Sequence, residues 1–192
     1  MVNLRSPGLW LFVGGLEMLF LVHLAEFAYP GYSVSEAYIS KLGVGPTAAR
    51  VIFTAALLLF GLMALVTAFL LRQRSEKPWL WVFLALSGVG AIGVGVFNMD
   101  SFSGVHFVSA VAAFLFGNLA VIYSYKVVRA PLSWLFVLLG LIGMSALVLD
   151  GSGIYLGLGQ GGMERMIFYP PMFWALGFGA YMIAEEGAER RS

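Results

Sequence analysis

Six stretches of the chain stay apolar long enough to cross a bilayer: 8–28, 48–71, 79–97, 105–125, 132–149 and 165–184. None shows the period-two alternation of a strand with one wet face. About 20 consecutive apolar residues span the hydrocarbon as a helix, and a helix satisfies its own backbone hydrogen bonds there. A transmembrane barrel would need short alternating segments instead. The pattern predicts one all-α domain over 1–192, a six-span integral membrane protein. The connections differ in chemistry. RQRSEKP and KVVRAP are short and basic, whereas PGYSVSEAYISKLGVGPT, NMDSFSG and DGSGIYLGLGQGGME are rich in Gly, Ser and Tyr.

Charge then orients the spans. Six crossings put Arg5, Arg72, Arg74, Lys77, Lys126, Arg129, Arg190 and Arg191 on one side, with only Lys41, Arg50 and Arg165 on the other. Positive charge stays in the cytoplasm, so both termini are expected inside, in a multi-pass protein of the cell membrane. The first apolar run follows Arg5 as a signal peptide would. Glu17, His23 and Glu26 interrupt it, and no clear small-residue cleavage site precedes Tyr29-Pro30, so an uncleaved first helix is expected.

Composition narrows the chemistry. The chain is 60% hydrophobic and 11% charged, against about 25% charged for a soluble domain, too little to coat a water-facing surface. Having no cysteine, it has no disulfide, thiol catalysis or thiolate metal site. No basic stripe is interleaved with aromatics, so nucleic acid is not an expected partner. SGVGAIGVG contains Gly88-x-Gly90-x-x-Gly93, the letters of a dinucleotide-binding turn. That turn needs a strand before it; inside an apolar span, small residues serve close helix packing.

The polar exceptions gather at one level, the outer ends of the spans. Glu26 lies near the end of span one and His23 shares its face. Asp100 follows span three, and His106 opens span four with Ser109 a turn deeper. Asp150 ends span five, Glu164 and Arg165 open span six, and Tyr169 follows. Ionisable groups within spans usually face the bundle interior and mark function. The expectation is an outward-opening polar cavity between helices one, three, four and six, capped by 30–47. Glu17 is deeper and on another face; Ser87 or Asn118 is its expected partner.

Three chemistries fit these residues. The leading one is binding or remodelling of a lipid or lipid-linked molecule at the outer leaflet. Arg165 and Lys41 would meet an anionic headgroup, helped by a helix N-terminus, with Glu164, Ser40, Tyr169 and Asp150 around it. His106, Asp100 and Glu26 would supply polar contacts or acid–base catalysis, with Ser40 or Ser109 as nucleophile. No cofactor is needed for that. An alternative is a metal-dependent intramembrane hydrolase holding zinc or another divalent ion through His23, Glu26, Asp100 and His106. A scaffold, or a proton- or ion-coupled carrier using Glu17, is a third class. Tyr169-Pro170-Pro171 frees carbonyls near Met166 and Ile167, read first as a packing kink. Trp10, Trp79, Trp81 and Trp134 read as interface anchors and Trp174 as a packed residue.

Tyr38-Ile39-Ser40-Lys41-Leu42-Gly43 followed by Pro46 resembles an Ile-Ser-Asp-x-Gly…Pro signature after helix one. It occurs in six-span proteins including the damage-regulated autophagy modulators (DRAM) and Golgi proteins that remodel lipid on GPI anchors. Gly95-x-Phe97, His106-x-x-x-Ala110 with Phe114, and Gly162-x-Glu164-Arg165 with Trp174 are similar to a prokaryotic relative, domain-of-unknown-function family 998. The resemblance implies six spans and, in some eukaryotic relatives, lipid handling. Lys41 stands where that signature has an acid, so a role of the acid in relatives does not carry over.

Overall fold

A computed structural model describes residues 3–74 and 77–189; Arg190 and Arg191, counted above for orientation, lie outside the described residues. Among the described residues, six helices are long and apolar enough to cross a membrane: α1 Pro7–Phe27, α2 Thr47–Arg74, α3 Pro78–Val96, α4 Ser103–Tyr123, α5 Leu132–Gly151 and α6 Gly159–Glu189. Two 3-10 turns, Ile39–Val44 and Ser124–Lys126, complete the described secondary structure. Pro7 and Pro78 sit at helix starts, where a missing N–H costs nothing and the fixed φ suits the first turn.

Each helix packs against its neighbours in sequence, and α6 returns to α1, closing a ring. Asn3, Glu189, Arg74, Lys77 and the 124–131 connection share one end, called here the terminal end. The 28–46, 97–102 and 152–158 connections form the loop end. Large apolar side chains face outward along every helix, among them Phe20, Leu62, Phe69, Val89, Phe107, Trp134, Leu138 and Phe173. Such an apolar exterior suits lipid and not water.

Small residues set the helix spacing. A Cβ on Gly88 would lie 2.9 Å from the Gly61 carbonyl oxygen of α2, so α2 and α3 touch backbone to backbone. The apparent dinucleotide turn is thus a helix-packing surface. Trp174 is 2% exposed, and its indole N–H donates to Ser124 Oγ at 2.9 Å, as expected of a packed Trp. Trp79 and Trp134 stand exposed at the terminal end.

Two boundaries differ from expectation. Helix α6 begins at Gly159, a turn and a half before 165, and runs through Pro170-Pro171 to Glu189. Pro171 removes the N–H that would bond the Ile167 carbonyl, and Asn118 of α4 replaces it, donating through Nδ2 at 3.3 Å. The same amide donates to the Phe114 carbonyl at 3.0 Å. The proline pair is therefore absorbed by packing, as first read, with Asn118 as the supporting donor. This engages Asn118 elsewhere than at Glu17. Ser87 donates to Ala113 O at 2.9 Å, so neither expected partner serves Glu17, whose two carboxyl oxygens are buried without a partner.

Candidate functional site

The polar centre forms where α1, α6 and the 28–46 segment meet. Arg165, more than a turn and a half into α6, is 5% exposed. Its guanidinium donates to the Val34 carbonyl at 2.8 Å, the Gly161 carbonyl at 2.9 Å and Tyr32 Oη at 3.2 Å. It also pairs with the Glu26 carboxylate from the last turn of α1. Its Nε is buried with no partner. A rigid fork with five donors can hold several acceptors at once, which explains how one side chain joins α1, α6 and the 28–46 connection that follows α1.

Glu164, next in the chain, is 7% exposed and accepts the backbone N–H of Ile39. The adjacent α6 terminus is docked by backbone alone. Gly161 and Gly162 donate their N–H groups to the Ser35 carbonyl at 2.8 and 3.2 Å. A Cβ on Gly161 would run into the Val34 and Ala37 carbonyl oxygens, so only glycine lets the segment lie this close. Gly159 takes φ +74, a left-handed conformation natural to glycine. Tyr32 completes the fold-back by donating to the Ala37 or Tyr38 carbonyl, at 3.2 and 2.9 Å. Residues 32–39 thus form a lid fastened to α6.

A second polar patch lies against Glu164. Asp150, at the end of α5, is close enough to Glu164 for the two carboxylates to repel, and its Oδ1 is buried without a partner. The phenols of Tyr38 and Tyr155 approach each other there. Burial first, then the Tyr155 contact and the negative charge of Asp150 and Glu164, push the Tyr38 phenol well above its ordinary range. Burial also raises the Tyr32 phenol, with the Arg165 hydrogen bond and charge opposing.

His23 and Tyr169 flank the centre on the membrane side. His23 Nδ1 lies 2.7 Å from the Leu19 carbonyl, so that nitrogen carries the hydrogen; Nε2 is left to meet Tyr169 Oη at 3.4 Å. The two rings stack, and His23 is exposed.

The structure brings Glu26, Glu164, Arg165, Tyr169 and Asp150 to this region, with Ser40 and Lys41 on the turn above. Ser40 Oγ points to Met99 Sδ at 3.9 Å, and Lys41 is exposed. His106 and Asp100 belong elsewhere. His106 is 7% exposed and bonds the Phe97 carbonyl at 2.8 Å, clamping the α3–α4 corner. Asp100 is exposed in the turn that Asn98 caps. Since α1 and α4 are not adjacent in the ring, His106 and Asp100 do not share a site with Glu26. Ser109 packs under Gly93 of α3. The expected cavity between helices one, three, four and six is therefore corrected to a centre between α1, α6, the end of α5 and the lid. Among the described residues no three His, Cys, Asp or Glu side chains gather as metal ligands. The set His23, Glu26, Asp100 and His106 fails as a metal site because it spans two corners of the bundle.

Sequence reading missed Tyr32, Tyr38, Tyr155 and the docking role of Gly159 and Gly161. The glycine run GLGQGG and the tyrosines of the two longest connections were the signals.

Six apolar helices with a charged centre sealed at one end define a multi-pass helical membrane protein. The chain belongs to the DUF998 family, described as "Protein of unknown function (DUF998)", whose profile matches residues 12–181. No curated protein and no solved structure matches the chain significantly.

Proposed function

We propose that this protein binds a lipid or lipid-linked molecule at the outer leaflet, with the polar part of the ligand held at the Arg165 centre beneath the lid. The carrying observation is Arg165 itself. A guanidinium 5% exposed with an unpaired Nε is a costly group to keep and a ready donor for phosphate or another oxyanion. The basic residues at the terminal end support cytoplasmic termini, which puts the loop end and its lid outside. The resemblance to DRAM-like and GPI-lipid-remodelling proteins supports the same reading. Lid opening would expose Arg165 and Glu26 together, so the ligand anion competes with Glu26 for the guanidinium.

The test is native mass spectrometry of gently purified protein. Wild type should carry a bound lipid, and Arg165→Lys, which keeps the charge but loses the fork, should carry less. His106→Ala, altered at the other corner, should keep it. Equal lipid retention in folded wild type and Arg165→Lys would refute the proposal.

A second reading, proton- or ion-coupled carriage, draws on Glu17. Mid-membrane carboxyl groups mark ion paths by default, and both its oxygens lack a partner. Flux in proteoliposomes that disappears in Glu17→Gln would favour it; unchanged flux in Glu17→Gln, or none in wild type, would remove it.

A further inference from the structure

The seam between α5 and α6 opens toward the membrane at the loop end. Leu141, Ile142, Ser145 and Leu149 of α5 face Met163 and Met166 of α6 across a groove of about 300 Å³, with Leu156 and Leu158 at its head. Leu141 and Leu149 are eight residues apart on one helix, a rise of about 12 Å, most of the ~15 Å depth of one leaflet. The shape suits one acyl chain lying along α5.

The polar patch lies beside the head of this groove, where Tyr155 packs with Leu149 and Met163. Asp150 follows Leu149, and Glu164 follows Met163. Three acidic side chains, Glu26, Glu164 and Asp150, are gathered there with the one guanidinium of Arg165. That guanidinium is already paired with Glu26, and Lys41 is exposed on the rim. Asp150 Oδ1 is a buried acceptor with no donor, and Arg165 Nε is a buried donor with no acceptor. Unmet groups of opposite kind within one centre call for a ligand carrying both signs. An anion alone answers Arg165 and leaves Asp150 facing more negative charge. An ammonium alone answers Asp150 and leaves Nε unmet. Tyr38 and Tyr155 add ring faces and phenol oxygens, which also suit an ammonium.

We propose that the α5–α6 groove and the patch beside its head bind a zwitterionic phospholipid with a primary amine, its phosphate on Arg165, its ammonium on Asp150 and Glu164, and one acyl chain along Leu141–Leu149. This rests on the lipid-binding reading above and specifies the lipid class. A primary ammonium has three N–H donors for the unmet acceptor. A trimethylated headgroup has none and does not satisfy Asp150.

The experiment reconstitutes the full chain in nanodiscs holding equal amounts of three phospholipids with the same chains: ethanolamine, choline and glycerol headgroups. Lipid retained on gentle extraction is counted by native mass spectrometry. Wild type should keep the ethanolamine lipid about tenfold over the other two, the discrimination worth one charge-assisted hydrogen bond. Asp150→Asn should bring ethanolamine and choline lipids near parity. Ser145→Trp, which fills the groove from an exposed position, should lower retention of all three without changing their ratio. Equal retention of all three by wild type, or an Asp150→Asn ratio unchanged from wild type, overturns the amine assignment. A preference for the glycerol lipid overturns it too, while leaving Arg165 as an anion site. Retention of none of the three overturns both this inference and the lipid-binding reading.

Discussion

Asn118 supplies the donor that Pro171 withholds, and this can be measured as a coupling. In wild type, Asn118→Ala leaves the Ile167 carbonyl unpaired in an apolar interior. The bond to Phe114 weighs little, because that carbonyl keeps its own intrahelical partner. An unsatisfied buried polar group costs about 1–3 kcal/mol, and interhelical bonds in membrane proteins run from about 0.6 to 1.7 kcal/mol. We expect a loss of about 1–2 kcal/mol from the hydrogen bond, plus a packing term. Pro171→Ala returns a backbone N–H to the Ile167 carbonyl. In that background the hydrogen-bond part of the Asn118→Ala loss should nearly vanish, while the packing term remains and cancels in the cycle. The expected coupling is about 1 kcal/mol, read from SDS-driven unfolding in mixed micelles followed by Trp fluorescence. Flipping the amide offers no escape, since both partners are carbonyls and only the nitrogen can meet them. A coupling below ~0.3 kcal/mol, the scatter of independent sites, would refute the reasoning.

Arg165→Met should lower stability by about 3–5 kcal/mol by stranding the buried Glu26 carboxylate, and adding Glu26→Gln should recover a large part; thermal unfolding in detergent measures both. Gly161→Ala should push the 34–37 backbone off α6 at about 1–3 kcal/mol, and limited proteolysis within 29–46 should accelerate while cleavage elsewhere stays unchanged. Tyr38 has its phenol raised on folding, so its stabilising share is complete below the usual phenol value of about 10 and fades as pH climbs beyond it toward the folded-state value. Tyr38→Phe should therefore lessen the alkaline fall in melting temperature, and an identical pH profile would contradict this.

Much of this architecture could be read before any coordinates. Span count follows from continuous apolar runs, because hydrocarbon thickness fixes helix length whatever the packing. The pairing of Glu26 with Arg165 could not be read, since it spans 139 positions and depends on which helix closes the ring against α1. His106 misled for the same reason. Level along the membrane is legible from position in a span, but position around the ring is not, and His106 and Glu26 share a level at different corners. The start of α6 was misplaced because GLGQGG looks like loop. Its glycines instead admit the lid backbone against a helix terminus, a reason invisible without the partner strand of chain. Pro170-Pro171 was correctly read as a packing feature, yet the compensating donor lies on another helix.

The route into the centre follows from which seams are shut. Helices α1 and α6 are pinned at both ends. Arg165 meets Glu26 at the loop end. At the terminal end Glu186 of α6 takes Arg74 at 2.8 Å and the Asn3 amide at 3.2 Å. Between these pins the backbones touch: a Cβ on Gly8 would lie 2.6 Å from the Gly179 carbonyl oxygen, and one on Gly15 would lie 2.9 Å from Ala175 Cβ. Nothing the size of an acyl chain passes there, although His23 and Tyr169 mark that face. Among the described residues the α5–α6 seam has no such pins at the loop end and holds the apolar groove instead. On the proposed lipid-binding reading, a lipid tail would have a lateral path beside α5, while its headgroup would reach Arg165 only if the 32–39 lid yields. Crosslinking the lid to α6 should then slow loading of the ethanolamine lipid without shutting the groove to its chain, whereas crosslinking α1 to α6 should change neither. Loading blocked by the α1–α6 crosslink would reverse this assignment of the path.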